Sequence, residues 1–345
     1  MKFDFIIGNP PYQEDAIGDN KNFTPPVYHK FIDEVYCVGN KVELIHPARF
    51  LFDAGATPKE WNRKMLNDPH FKVVYYEPKS GNVFSGPDIR GGVAITYHDK
   101  TKNFVAIEIY TVFEELNTIL QKVKACGEFK SLSAIVFSRT EYRLTPLIHQ
   151  DYPNAKDDLS NGHLFDMSTN IFDCLPYIFH DKKPQDTEEY VRICGLVKAK
   201  DRVSKWIRRR YIKEPKNFTK YKVFVPKSNG SGSLGEVLST PLIGQPLIGH
   251  TETFISIGCF DTEAEAQSAL KYIKTKFARG MLGVLKITQD NPPEKWKYVP
   301  LQDFTDKSDI DWSQSIAEID QQLYKKYGLD EKEIMFIETH VKEMS

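Results

Sequence analysis

Four consecutive residues, Asn9-Pro10-Pro11-Tyr12, have the types and the order needed to act on an aromatic amine. The exocyclic amine of adenine is a poor nucleophile, because its lone pair is delocalised into the ring. Two acceptors aimed at its hydrogens, the Asn9 side-chain oxygen and the Pro10 carbonyl, would draw that lone pair out of conjugation. Pro10 and Pro11 each have a fixed φ and hold the acceptors stiffly. Preorganised polar groups of this kind are where an active site gains most. Tyr12 offers a flat face to a base. Base–aromatic stacking contributes about 1–3 kcal/mol, which offsets part of the cost of turning a nucleotide out of its helix. The plainer alternative is a strand that ends in a proline turn with a surface tyrosine. The preceding run, FDFIIG at residues 3–8, reads as a buried strand and favours the chemical reading. A second NPP, Asn291-Pro292-Pro293-Glu294, is an internal control. It follows polar Thr288-Gln289-Asp290, has Glu where the aromatic would stand, and is expected to be an ordinary loop.

The elements around the tetrapeptide alternate. Residues 28–38 have helical spacing, 42–46 read as a strand and 58–66 as a short helix. Residues 73–77 and 92–97 read as further strands, and 113–125 as a helix leading away. Strands alternating with helices argue for an α/β sheet. Residues 140–190 are rich in Asp, Pro, Asn and aromatics with little periodicity. Residues 263–282 read as one long helix.

Length and composition bound the rest. At about 150 residues per domain, 345 residues suggest two domains. An apolar fraction of 41% and a charged fraction of 27% are those of a globular protein with sizeable cores. No run of about 18 apolar residues exists to span a membrane, and Asp4 interrupts the short apolar N-terminal stretch, which argues against a secretory signal. The cysteines, Cys37, Cys126, Cys174, Cys194 and Cys259, are scattered and form no CxxC pair. Neither a zinc knuckle nor a disulfide framework is expected, and a reducing cytoplasm is the simplest location. Net charge is −1, yet charge is segregated. Residues 198–227 hold twelve Lys or Arg against two acids, whereas the last 45 residues hold eleven acids against five bases.

FDFIIGNPPYQ (residues 3–13) resembles the catalytic motif of adenine-specific, amino-group DNA methyltransferases of restriction–modification systems. The resemblance continues through YHKFIDEV (28–35) and KVELIHPARFLF (41–52). It extends to NVFSGPDIRGGVAITYHDK (82–100), where Phe84 matches the residue that stacks on the other face of the flipped adenine. Further on, residues 268–291, 296–304, 309–329 and 333–338 are similar to the target-recognition and C-terminal region of type II (IIG-like) methylases, in which one polypeptide may carry both methylase and nuclease. The resemblance implies a partial Rossmann-like methyltransferase sheet followed by an α+β recognition domain, with the division at 1–125 and 126–345. It implies S-adenosylmethionine as methyl donor and double-stranded DNA as substrate, with direct transfer and no metal. Asn9 and Pro10 would bind the amine, Pro11 would stiffen the turn, and Tyr12 and Phe84 would sandwich the base.

One part of the family pattern is missing. The glycine-rich F-x-G-x-G motif and the two acids that hold the cofactor precede NPPY in such enzymes, and only eight residues precede Asn9 here. Gly230-Ser231-Gly232, after the basic run YKVFVPKSN, is the nearest downstream candidate and is expected to be a flexible or phosphate-contacting loop. In the family the strand before NPPY lies beside the cofactor-binding strand. Here it would become an apolar edge, a form prone to aggregation. The expectation is the C-terminal part of a methylase, completed by a separate N-terminal polypeptide or truncated.

The basic segment interleaves cations with Trp206, Tyr211, Phe218, Tyr221 and Phe224. Lys205, Arg208, Arg209, Arg210, Lys213, Lys220, Lys222 and Lys227 are the expected DNA contacts, with phosphates giving affinity and base edges specificity. Arg208–Arg210, placed on one helix, cannot all face one way, so two of the three would reach DNA. A solvated basic face is the plain alternative. Two rival functions are a recognition subunit without catalysis and a nuclease. Asp68 with Glu77-Pro78-Lys79 has a D…ExK look, but Pro78 spoils the alternation that would aim both side chains at one magnesium ion.

Overall fold

The computed structural model of the chain describes residues 2–13, 24–85, 89, 91–198, 200–230, 232–286 and 289–344. The chain divides into two compact units, Met1–Gln121 and Lys122–Ser345.

In the first unit β1 (Phe3–Gly8), α1 (Tyr28–Val38), β2 (Gly39–Pro47), α2 (Lys59–Leu66), β3 (Phe71–Glu77) and β4 (Val93–Asp99) follow in order. The strands form one sheet in the order β1-β2-β4-β3. β1 and β2 are parallel, with Gly8 opposite Leu44, and α1 is the crossover a parallel pair requires. β4 is antiparallel to β2 and to β3.

Period-2 alternation decides which face is covered. Val42, Leu44 and His46 of β2 are buried, and so are their cross-strand partners His98, Thr96 and Ala94. α1 puts Tyr28, Ile32, Val35 and Tyr36 on one stripe, the i, i+4, i+7, i+8 pattern of an amphipathic helix. Trp61 and Met65 of α2, with Phe50 and Phe71, complete this core. The other alternation of β1 is uncovered: Phe3 is 46% exposed, Phe5 47% and Ile7 76%. β1 also lies at the edge of its sheet, so its outer backbone groups have no strand partner among the described residues.

α3 (Glu114–Ala125) contains the boundary between the units. The second unit holds β5 (Val136–Phe137), β6 (Arg143–Leu144), α4 (Leu147–Asp151), α5 (Ile171–Cys174), β7 (Tyr190–Val197), β8 (Asp201–Arg208), β9 (Ile212–Lys213) and β10 (Tyr221–Pro226). β11 (Leu242–Gly244), β12 (Ile248–His250), β13 (Phe254–Phe260), α6 (Glu263–Lys274), α7 (Lys276–Leu282), α8 (Ile316–Lys326) and α9 (Glu331–His340) complete it. Its sheets are small, ordered β11-β10-β13-β5, β12-β7-β8 and β6-β9. The chain is therefore a mixed α/β protein with several sheets.

Three expectations need correction. FDFIIG is not a buried strand, because β1 is an edge strand and the face that carries Phe3, Phe5 and Ile7 is uncovered. The single helix over 263–282 is two helices. Thr275 breaks it with extended geometry (φ −58°, ψ 150°), and its hydroxyl accepts from the Ala278 amide. The buried Asp320 carboxylate accepts from the Lys276 and Phe277 amides at 2.9 and 2.8 Å, satisfying donors a helix start leaves open. Arg208–Arg210 are not on an α-helix: Arg208 ends β8, and Arg209–Tyr211 form a 3₁₀ turn.

Candidate active site

Asn9-Pro10-Pro11-Tyr12 leaves β1 at its carboxyl end, beside the carboxyl end of parallel β2. In open α/β sheets that end is where ligands bind. Asn9 and Pro11 are exposed, and Pro10 and Tyr12 are half-buried. The Val27 amide, just before α1, donates to the Tyr12 carbonyl at 3.1 Å, and Gln13 bridges Pro26. The loop is thus pinned at both ends, by the β1 ladder and by the start of α1. The Tyr12 hydroxyl is enclosed yet makes no hydrogen bond of ordinary geometry among the described residues. Burial pushes its pKa up, and the neighbouring Asn9 side chain acts against that.

Next in sequence to Val27, which pins the loop, Tyr28 begins an aromatic floor that sequence reasoning did not single out. Tyr28 stacks on His46 with centroids 5.8 Å apart and planes 5° apart, and meets Trp61 edge-on at 6.3 Å. His46 is fully buried. Its Nδ1 lies 3.2 Å from the Pro47 carbonyl, which can only accept, so Nδ1 carries the proton. Nε2 then accepts from the Thr96 hydroxyl at 2.8 Å. Both contacts suit a neutral ring, and burial pulls its pKa down to about 4. Burial pushes the Tyr28 hydroxyl up to about 12, against the Thr57 hydroxyl and the Arg49 charge, which act to lower it. Thr57 donates to Asn62 at 2.7 Å, and Asn62 donates to Asp53 at 3.0 Å. The only signal for this floor in the sequence is His46-Pro47 at the end of an apolar strand.

Phe84 is half-buried, and its amide donates to the Ser80 carbonyl at 2.9 Å. Among the described residues its ring and that of Tyr12 are not in contact. Asp68 is 3.2 Å from His98, whereas Glu77 accepts from the Lys79 amide at 2.8 Å. Each acid of the D…ExK pattern is thus committed locally.

The cations expected to meet DNA lie in the second unit and differ among themselves. Arg209 pairs with Glu189 at 2.7 Å and Glu214 at 2.5 Å. Arg210 pairs with Asp151 at 2.8 Å, and Arg208 lies 3.7 Å from Asp186. Lys205 pairs with Asp181 at 2.9 Å, Lys220 with Asp261, and Lys227 donates to Thr169 at 3.2 Å. Lys213 is exposed at the end of β9. Lys222 is a correction. It is fully buried, and its ammonium donates to the carbonyls of Asn217, Phe218, Lys220 and Gln245 at 2.9–3.1 Å. Burial pulls its pKa down to about 7. A side chain so enclosed cannot reach a phosphate in this fold.

The Gly230 loop does not fit a cofactor phosphate or carboxylate. A Cβ at Gly230 would fall 2.1 Å from Glu236 Oε2, and that oxygen accepts from the Gly232 amide at 3.0 Å. The chain's own carboxylate fills the turn; Ser231 lies outside the described residues. Asn291 of the second NPP is fully buried and donates to Pro226 O at 3.1 Å and Asn229 Oδ1 at 2.6 Å. It braces a loop, whereas Asn9 faces outward.

Residues 1–84 match the profile of the family described as Eco57I restriction-modification methylase. The first unit is thus similar to restriction–modification methylases over the segment that carries the tetrapeptide and its floor. A comparison with curated proteins gives no match. Three solved structures show loose similarity. The type IIG restriction endonuclease BpuSI is 9% identical, with 98% of this chain and 54% of that one covered, at a TM-score of 0.31. The type IIL restriction-modification enzyme MmeI, in complex with DNA, is 8% identical, with 98% and 56% covered, at 0.33. A nuclease-deletion mutant of the type ISP restriction-modification enzyme LlaGI, with a DNA substrate mimic, is 12% identical, with 99% and 35% covered, at 0.26. The chain therefore spans little more than half the length of the first two and about a third of the last.

Proposed function

We propose that this chain is the catalytic and DNA-recognising part of a site-specific DNA adenine methyltransferase of restriction–modification type. The observation that carries the reading is the Asn9-Pro10-Pro11-Tyr12 loop. It stands at the carboxyl end of β1, pinned by Val27, inside the segment that matches a methylase family. The Asn9 side chain and the Pro10 carbonyl accept the hydrogens of the flipped adenine amine and localise its lone pair. Tyr12 stacks on one face of the base, and Phe84 closes on the other. The four strands are the motif-bearing part of a Rossmann-like sheet.

S-adenosylmethionine supplies the methyl group, and among the described residues the Gly230 loop does not fit it, because Glu236 fills the turn. The partner is accordingly a complementary polypeptide or segment that holds the donor and pairs with the open edge of β1. Exposed Phe3, Phe5 and Ile7 support that assignment, because they are the apolar surface such a partner would cover. In the second unit Lys205, Arg208, Arg209, Arg210, Lys213, Lys220 and Lys227 contact double-stranded DNA. Those now paired exchange a carboxylate for a phosphate, with little net loss per exposed pair.

The test is tritiated methyl transfer into DNA by the full chain purified from its own cells with whatever accompanies it. Wild type should yield N6-methyladenine, and Asn9→Ala should abolish the transfer while leaving DNA binding within about twofold. N4-methylcytosine would correct the base but keep the reaction. Transfer that survives Asn9→Ala would remove the tetrapeptide from the chemistry.

A further inference from the structure

Arg49 begins the 3₁₀ turn that follows β2, at the same end of the sheet as the tetrapeptide. It is exposed, while its neighbours Ala48 and Phe50 are fully buried. The fold holds its stem in place. The Ala48 amide donates to the Gly92 carbonyl, and the Arg49 carbonyl accepts from the Asp53 and Ala54 amides. Two glycines with left-handed φ, Gly55 at +88° and Gly91 at +85°, flank the side chain. A Cβ at Gly91 would fall 2.5 Å from Arg49 Cγ, and one at Gly55 would fall 3.3 Å from Arg49 Cβ. Glycine at 91 leaves room for the Arg49 stem, and the left-handed φ at both positions favours glycine.

Among the described residues the guanidinium has no carboxylate partner. Among the described residues no ion pair includes Arg49, and the nearby acid, Asp53, is committed to Lys59 and Asn62. Its charge reaches the Tyr28 hydroxyl, whose ionised form it stabilises. Tyr28 follows Val27, the residue that pins the Tyr12 carbonyl. A well-held guanidinium with no ion pair among the described residues thus stands near Tyr28, the residue after the one that pins the loop. Guanidinium is suited to a bidentate oxyanion.

We infer that Arg49 binds a backbone phosphate flanking the adenine delivered to the Asn9–Tyr12 loop, and so positions the flipped nucleotide. The inference rests on the proposed function and adds a residue to it. The competing oxyanion is the carboxylate of the methyl donor, and the two sources separate by experiment. Binding of the full chain to a fluorescent duplex is followed by anisotropy from 50 to 300 mM salt. Loss of one phosphate contact reduces the slope of log K against log salt by about 0.9, and weakens binding roughly eightfold at 0.1 M. Arg49→Gln is expected to show both changes with an unchanged thermal midpoint, and Arg49→Lys to restore the slope. An unchanged slope in Arg49→Gln, with wild type binding DNA normally, would overturn the inference and leave the proposed function standing. Weaker S-adenosylmethionine binding in calorimetry, with the DNA slope intact, would reassign Arg49 to the donor carboxylate and equally overturn it. Absence of DNA binding by wild type would overturn the proposed function itself.

Discussion

His46 makes the stability of the first unit depend on pH in a way that can be worked out. Its Nδ1–H donates to Pro47, its Nε2 accepts from Thr96, and burial holds its pKa near 4. The unfolded chain titrates near 6.5. As pH falls below 6.5 the unfolded state gains a proton that the folded state refuses until about pH 4. The stabilisation is therefore complete above pH 6.5 and is lost as pH falls through that window. With about 1.4 kcal/mol per pKa unit, the whole window amounts to about 3 kcal/mol, and the fall from pH 7 to pH 5 to about 2 kcal/mol. Amide hydrogen exchange of peptides from β2, corrected for intrinsic rates, reads this opening free energy. His46→Gln should lose about 2 kcal/mol of that pH dependence. His98, also held down by burial, contributes to the slope of both proteins and cancels in the difference. Parallel pH profiles for wild type and His46→Gln, or a proton titration of His46 near 6.5, would mean that the buried ring is not held neutral.

The second unit repeats the arrangement and adds further tests. His250 is buried with Nδ1 on the Thr251 carbonyl and a pKa pulled down to about 3. Acid should therefore destabilise β12 peptides between pH 6.5 and 3, opposed by Asp320, whose pKa is raised by burial to about 6 and which favours the folded state as it protonates. Hydrogen exchange of those peptides checks the sign. Lys222→Ala leaves a cavity and leaves carbonyls without their donor, so it should lower the unfolding free energy by about 2–5 kcal/mol. It should not alter the salt slope of DNA binding; a reduced slope would restore Lys222 to the interface. Phe5→Lys on the open edge should suppress self-association in light scattering and change stability by less than about 0.5 kcal/mol. A large loss of stability would mean that this face is covered.

Most of the first unit was legible in the sequence, because its elements are short, strongly periodic and separated by proline or asparagine. The six residue runs at 3–8, 28–38, 42–46, 58–66, 73–77 and 92–97 lie on the six elements observed, within a few residues at their ends. The second unit was less legible. Much of its core, including Tyr142, Leu144, Met167, Ile171, Phe172 and Phe179, comes from turns and very short strands and helices, which have no period to read. The break at Thr275 was hidden because no proline or glycine marks it, and the cap that stabilises the second helix comes from Asp320, 45 residues on. The basic segment misled in a different way. A count of charge does not reveal that Lys222 points inward onto four carbonyls, or that Arg208–Arg210 meet acids from residues 151–214. The tetrapeptide itself was readable because its chemistry is local. Its floor of Tyr28, His46 and Trp61 was not, because those residues converge only when α1, β2 and α2 pack.

The central claim is that Asn9 acts on an adenine amine. The most direct measurement is single-molecule sequencing, with nucleoside mass spectrometry, of DNA from native cells in which only Asn9→Ala has been introduced. In those cells any complementary polypeptide is present at its own level. N6-methyladenine should disappear from one sequence motif while the chain persists at normal abundance. An unchanged methylation map, with the variant chain folded and present, would contradict it.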